Sequence, residues 1–473
     1  MEYEVVIGLE THVQLKTKTK MFCGCGTTFG AQPNSHVCPV CLGYPGALPS
    51  MNKEAIRYTV MAGLMLGCRI AEYAKFDRKN YFYPDSAKNY QITQLDYPLC
   101  IGGGVEITGE EGEKKTIRIH HIHLEEDVGK LVHRAGASGV DYNRAGTPLM
   151  EIVSEPDMRS PDEAIAYLNA LREMMIYAGV SECNLEEGNM RSDVNVSIRP
   201  KGQKEYGTKI EIKNMNTFSG IYAALQYEIE RQKAALNAGQ ALRQETRRWD
   251  TELFETQVMR SKENADDYRY FPEPDLMPIS LTQEQIATWA KDLPEAPAKR
   301  RERMIAEYGI PEYDAGVLSA DRALADFFEA VAKHCGNGKL ASNWVMAEVL
   351  ALTAKTGVEL SASALTAEML GELLKLLESK TINGPTAKAL LPELFEKGGN
   401  PADIVKERGL GQVSDTSAIE AFVDAVIEAN PKVVAEIKAG KMAAMGFLVG
   451  QVMKQSKGKA SPQIVQELLK KKF

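Results

Sequence analysis

With 473 residues the chain has room for roughly three domains, and a hydrophobic share of 44% is that of an ordinary globular protein able to bury sizeable cores. No amino-terminal apolar run follows a basic segment, and no stretch of membrane-spanning length lacks charge, so a cytosolic protein is expected. In that compartment the eight cysteines are thiols or metal ligands, not disulfides, and a net charge of −8 describes an acidic body overall.

The first element is predicted at residues 5–14, VVIGLETHVQ. There Val5, Ile7, Leu9, Thr11 and Val13 alternate with Gly8, Glu10 and His12, the period of a strand with one apolar and one polar face. A Gly- and Pro-rich loop follows, carrying Cys23, Cys25, Cys38 and Cys41 as CxC and CxxC pairs twelve residues apart. Four thiolates so spaced can surround Zn2+ tetrahedrally; the first pair is tighter than the usual knuckle, and four free thiols are the alternative. Residues 52–67 are apolar at helical spacing through Ile56, Val60 and Leu64, with Gly67 as a stop. The polar and aromatic stretch 76–99 brings Lys79, Tyr81, Tyr83, Asp85, Lys88 and Tyr90 into close succession. Its lysines can neutralise phosphate oxygens or hold a substrate carboxylate, while its tyrosines suit plain strand packing equally well.

The glycines of residues 100–116 mark a hairpin leading into residues 117–127, IRIHHIHLEED. As a strand this segment sets His121, His123 and Glu125 on one face and Ile122 and Leu124 on the other. The same split recurs at Glu151 in LMEIV, at Asp193 and Asn195 opposite Val194 and Val196, and at Glu211 between Ile210 and Ile212. Between these strands, Ser160, Pro161 and Glu163 announce a helix through a capping box with proline in its first turn, closing near Gly179. Residues 218–239 form another, packed through Ile221, Leu225, Ile229 and Leu236. Residues 247–275 are charged and aromatic, and Tyr268, Arg269, Tyr270 and Phe271 read as either a substrate-facing loop or a hinge. From about Thr282 strand alternation disappears, and helices follow one another, punctuated by LPEAP, YGIPEY, INGPT and KGGNPAD. A second break at 409–415 precedes a tail in which residues 431–473 hold nine lysines against Glu436 and Glu467, a local +7 that leaves −15 for the remainder. Such a tail suits a polyanionic partner; a solvated lysine face that only aids solubility fits the composition equally.

Any one of the five polar strand faces is explained by the wet side of an antiparallel sheet. As a set they differ, because wet faces are usually rich in Lys, Thr and Ser, whereas these repeat Glu, His and Asp singly beside buried-type residues. Carboxylates and an imidazole gathered on one sheet suit a hard divalent cation, and Mg2+ binds through one or two carboxylates plus substrate phosphates. Phosphoryl transfer is the chemistry such a site serves. No GxxxxGK[ST] motif occurs, so any ATP is held without a P-loop.

Taken together, GLETHVQL, the four cysteines, DRKNYFYPD, HLEEDVGK, DYNRAGTPLMEIVSEPD, EGNMRSDVNVS, IEIKNMNTF and GFLVGQVMK resemble, over the whole chain, the B subunits of the bacterial tRNA-dependent amidotransferase GatCAB. The resemblance implies an α+β fold: an amino-terminal cradle of antiparallel sheets similar to glutamine synthetase over residues 1–293, an all-α helical domain over 294–408, and a small YqeY-like helical tail over 409–473. It implies an ATP-dependent carbon–nitrogen ligase that phosphorylates the side-chain carboxylate of Glu-tRNA(Gln), of Asp-tRNA(Asn), or both. Ammonia from the glutaminase A subunit then forms the amide, in a heterotrimer completed by a small C subunit. By matching motif, Glu10, His12, Glu125 and Glu151 are implied as Mg2+ ligands and, with Lys79, as the catalytic set. Asp193 and Glu211 lie around the same ion, Lys79 and Lys88 serve phosphate or the ammonia path, and Cys23, Cys25, Cys38 and Cys41 hold Zn2+. The chain has no Gly- and Ser-rich amidase stretch and no cysteine in a nucleophile-elbow context, so ammonia is expected from the partner. A free-standing small-molecule ligase on a similar cradle leaves the helical portion and the basic tail without a job, and a non-catalytic zinc and RNA-binding scaffold leaves the acidic faces unused.

Overall fold

In the computed structural model, which describes residues 2–109, 112–134, 136–261, 265–411, 416–438, 444–456, 460 and 462–473, the first unit is laid out around strand β1 (Tyr3–Gln14). Helix α1 (Lys53–Met65) starts where Asn52 accepts hydrogen bonds from the Glu54 and Ala55 amides at 2.9 and 3.3 Å, satisfying donors the first turn leaves open. There follow β2 (Asp77–Asn80), β3 (Tyr90–Thr93), β4 (Lys114–Glu126), β5 (Pro148–Ser154), α2 (Pro161–Tyr177), β6 (Met190–Pro200), β7 (Ile210–Lys213), α3 (Phe218–Asn237), β8 (Glu245–Asp250) and β9 (Glu255–Ser261). Ser160 caps α2 through the Glu163 amide at 3.1 Å, but the predicted box is not closed in the usual way. The Glu163 carboxylate accepts instead from the Arg159 amide at 2.7 Å and from Lys115, tying the helix start to β4.

One ten-stranded sheet runs in the order β9, β8, β7, β6, β1, β5, β4, continued by the short strands Cys100–Ile101 and Arg69–Ile70, with Gly104–Thr108 also pairing with β4. Its neighbours are antiparallel except β7 and β8. That pair is parallel because α3 connects its strands, and a crossover helix returns the chain in the same direction. Ile7, Leu9, Val13, Ile122, Leu124, Ile152, Val194 and Val196 face a core shared with Leu168 and Leu171 of α2 and Ile221 and Leu225 of α3. Each such side chain contributes about 1.5–3 kcal/mol on burial. The helices therefore claim one face of the sheet, and the Glu, His and Asp residues are left on the other. At His120 β4 carries a bulge: Ser154 pairs with Ile119 and Val153 with His121. The extra residue swaps the faces, so Ile117 and Ile119 point into the core before it, and Ile122 and Leu124 after it.

Residues 247–275, left open by the sequence, contain two sheet strands, β8 and β9. A small three-stranded sheet of Phe271–Pro272, β2 and β3 holds Arg78 against the buried Glu273 at 2.7 Å. The second unit, Pro297–Phe473, is helical, with one hydrophobic core from Met304 to Val405 and another from Ile419 to Leu469. Among the described residues all eight cysteines are free, and no helix is long and apolar enough to cross a membrane. The break read at 409–415 falls partly outside the described residues.

Candidate active site and metal centres

Strand register assembles the site. Arg191 of β6, His12 of β1, Glu151 of β5 and His123 of β4 form one row across four strands. A neighbouring row carries Asp193, Glu10, Val153 and His121. Directly paired residues point to the same side of a sheet, so each row is a contiguous line of side chains. His12 Nε2 lies 3.3 Å from Glu151 and 3.5 Å from Glu125, and His123 Nε2 lies 3.3 Å from Glu151 and 3.8 Å from Glu125. One donor atom each of His12, Glu125 and Glu151 falls within 4.8 Å of the others, the spacing of ligands around a single cation. The His12 Nδ1 atom is buried without a hydrogen-bond partner, so this ring is held through its Nε2 side.

These groups open on a cavity of about 610 Å³, within the range of small-molecule sites. Lys79, Arg191, Asp193, Lys209, Glu211, Lys213, Tyr268 and Tyr270 complete much of its wall. The loop bearing both tyrosines is held by Asn80, whose amide donates to the Tyr268 and Arg269 carbonyls at 3.2 and 2.8 Å, and Lys79 sits 5.0 Å from the Tyr268 ring centre. Both tyrosines of that loop line the cavity.

Of the four residues matched as cation ligands, the structure brings three together. Glu10 lines the same cavity but accepts a 2.8 Å hydrogen bond from Asn195. Asp193 and Glu211 are joined by Lys213, at 2.8 and 3.0 Å, and Glu211 also accepts from Thr246 at 2.7 Å. Lys88 stands apart: it pairs with the buried Glu126 and lines a separate cavity of about 70 Å³ beside Cys23 and Cys41. Missing from the sequence-based set are His123, Arg191, Lys209 and Lys213. Arg191 lies two residues before Asp193, and Lys213 two after Glu211, so the alternation that flagged the acids flags these cations as well.

Charge in the site is strongly coupled. Burial opposes a charged His12, yet Glu151 and Glu125 outweigh it and hold the imidazole above its ordinary pKa. His123 is raised the same way, to about 10. Burial would raise Glu151, but the two imidazoles drive it well below the usual carboxylate range. Burial, then the Glu151 charge, raises Glu10, whereas burial and the neighbouring His123 and His120 lower His121 to about 4. Asp127, buried beyond Glu125 and Glu126, is kept low against its burial by Arg191 at 2.9 Å and Arg144 at 3.4 Å. Two carboxylates and an imidazole form a donor set able to hold a divalent cation.

The second centre is the cysteine loop. One Sγ from each of Cys23, Cys25, Cys38 and Cys41 lies within 4.8 Å of the others. A hydrogen bond from Cys23 is the largest influence lowering the Cys41 thiol, to about 4, with the Cys38 amide and Lys20 acting in the same direction. Four sulfurs so gathered, one disposed to be a thiolate, form a donor set able to hold a metal ion. The loop is anchored to the strand Ala137–Asp141 and the turn that follows it: Asn34 donates to Asp141 and Val140, and Asn143 accepts from the His36 amide at 2.8 Å.

Comparison with known proteins now adds to this geometry. The GatB/GatE catalytic domain model matches residues 5–287, and the GatB domain model matches residues 326–473. The chain is similar to the B subunit of the aspartyl/glutamyl-tRNA(Asn/Gln) amidotransferase of Carboxydothermus hydrogenoformans, at 52% identity over 477 residues covering all of this chain and 99% of that protein. It is similar to the subunits of the same name from Moorella thermoacetica and Picosynechococcus, each at 50% identity over all of this chain, covering 100% and 98% of those proteins. With two family models covering most of its length and relatives matched end to end, the chain belongs to the GatB family of amidotransferase B subunits.

Proposed function

We propose that this chain is the kinase and transamidase subunit of a tRNA-dependent amidotransferase, acting on Glu-tRNA(Gln), Asp-tRNA(Asn) or both. The single observation carrying this reading is the row of His12, Glu151 and His123 beside Glu125, facing a cavity walled by Lys79, Arg191, Lys209 and Lys213. A side-chain carboxylate is a poor acylating agent because oxide does not leave. Its oxygen attacks the γ-phosphorus of ATP, ADP departs, and the acyl phosphate so formed accepts ammonia at its carbonyl carbon. Phosphate then leaves with the C–O bond electrons and the amide nitrogen loses a proton. The work is positioning and charge neutralisation. In this reading His12, Glu125 and Glu151, with Glu10, Asp193 and Glu211 around them, hold Mg2+, which when bound neutralises phosphoryl oxygens. Lys79 and the cavity arginine and lysines orient phosphate and substrate carboxylate, while Tyr268 and Tyr270 narrow access for water.

The same reading assigns Zn2+ to the four cysteines, an amidase-type A subunit and a small C subunit as partners, and a cytoplasmic setting. It divides the helical unit into a domain over 294–408 and a basic tail over 409–473 that meets tRNA. Lys88, beside Glu126 and away from the acidic row, suits the ammonia path better than phosphate. Reconstitution with A and C subunits tests the whole: amide formation on misacylated tRNA is expected, with ATP turnover dependent on that tRNA. Robust ATP turnover with free glutamate and no tRNA would move the assignment to a small-molecule ligase.

A further inference from the structure

Lys20 has no exposed surface. Its ammonium reaches two groups, the Tyr142 carbonyl at 3.1 Å and the Cys41 sulfur at 3.5 Å, and among the described residues it forms no ion pair with a carboxylate. A cation taken fully out of water is costly unless an anion lies beside it. The candidate anion here is sulfur: Cys41 Sγ accepts from Lys20 and from the Cys38 amide at 3.2 Å and lies 3.5 Å from the Cys38 carbonyl, to which its own proton points until a metal replaces it. Four thiolates around one divalent cation carry two net negative charges, and an adjacent buried ammonium offsets one of them.

The fold makes room for this lysine. Gly146 has φ +86°, and a Cβ there would come within 3.4 Å of Lys20 Cδ and 3.6 Å of Cys41 Cβ. The Tyr142 carbonyl belongs to the turn that also accepts from the Ala145 amide and carries Arg144, whose guanidinium pairs with Asp127. We propose that Lys20 is a positioning residue of the four-cysteine centre, neutralising the thiolate cluster and bridging Cys41 to the turn that braces Asp127 beneath the cavity. The inference rests on the reading of that cluster as a metal site. Partners of this kind, one bond removed from the metal, typically tune affinity 10- to 100-fold.

The test compares full-length wild-type chain with Lys20→Met, Lys20→Gln and Cys38→Ser. Bound zinc is measured by elemental analysis, its release by transfer to a chromogenic chelator, and folding by thermal melting with and without metal. Wild-type protein is expected to hold one zinc and Cys38→Ser to lose it. Lys20→Met should release zinc roughly 10- to 100-fold faster, with Lys20→Gln, a neutral donor, in between. Stripped of metal, Lys20→Met should fall below wild type by less than it does with zinc bound, because most of the negative charge that the ammonium offsets is present only when the sulfurs ligate a cation. A wild-type release rate in both lysine variants, or an equal drop in melting with and without metal, overturns the proposal. A wild-type chain that binds no zinc overturns the metal reading on which it stands.

Discussion

Glu151 sits between two imidazoles, His12 on one neighbouring strand and His123 on the other, and its Oε2 lies 3.3 Å from both. Glu151→Gln keeps the shape and removes the charge both histidines answer to. Since loss of an outer-sphere partner alone costs about tenfold or more in metal affinity, loss of a ligand should cost at least that. Mn2+ binding followed by electron paramagnetic resonance is expected to weaken more than about tenfold, with phosphoryl transfer abolished and tRNA affinity unchanged; undiminished phosphoryl transfer would remove Glu151 from the site. Asp127 makes a different prediction. Its pKa is depressed, so its ion pairs with Arg191 and Arg144 contribute stability above the unfolded carboxylate value, and that contribution is lost as pH falls toward the folded one. Asp127→Asn takes the counter-charge from two arginines, each about a third exposed, and should cost about 1–3 kcal/mol near neutral pH. Urea unfolding from pH 7 down to pH 3 should show that deficit constant, then narrowing below about pH 4 as wild type protonates. A deficit independent of pH would mean that the carboxylate charge is not what stabilises this corner of the fold.

Strand β4 shows how one residue places a site. The bulge at His120 lets Ile117 and Ile119 face the core while His123 and Glu125, after it, face the cavity. Without it one half of the strand must turn over, because a one-residue slip moves every side chain to the opposite face. Deleting His120 should therefore cost about 3–6 kcal/mol, the burial of two isoleucines, or abolish folding, whereas His120→Ala, at an exposed position, should shift stability by less than about 0.5 kcal/mol. Equal melting of the two variants would refute the bulge's role. The same comparison explains what was legible beforehand. Strands whose buried side is aliphatic, such as β1, β5 and β6, announced themselves by alternation, and with them Glu10, His12, Glu151 and Asp193. Strands β8 and β9 did not, because apart from Trp249 their hidden contacts are polar. Arg247 donates to Thr256 at 2.8 Å, and Thr256 donates to Glu228 of α3 at 2.7 Å; all three are buried, so the stretch reads as loop. His123 was visible on the right face, but only cross-strand register, which no single strand encodes, puts it opposite Glu151.

For the whole molecule, charge is distributed in a way that the net −8 conceals. The nine lysines of residues 431–473 follow Asp415, Glu420, Asp424 and Glu428, acids of the same tail, so a deletion after Gly409 removes both signs together. Lys472 is paired back to Glu420, at 3.0 Å, and to Asp424, which leaves exposed lysines such as Lys432, Lys438, Lys454 and Lys470 as the charge available to a polyanion. The tail core of Ile419, Val423, Leu448 and Leu469 does not depend on them. Reversing those four lysines to glutamate should therefore keep the tail folded and weaken tRNA binding. The slope of log affinity against log salt should flatten by roughly 0.7–0.9 for each phosphate no longer neutralised. Changing Lys472 alone should alter the slope little, and every one of these variants should keep whatever ATP hydrolysis the wild-type protein shows without tRNA. Deleting the tail should reproduce the loss. If the reversed protein binds tRNA with wild-type affinity and the same salt dependence, the lysines are a solvated face, and the surface that meets tRNA lies elsewhere in the chain.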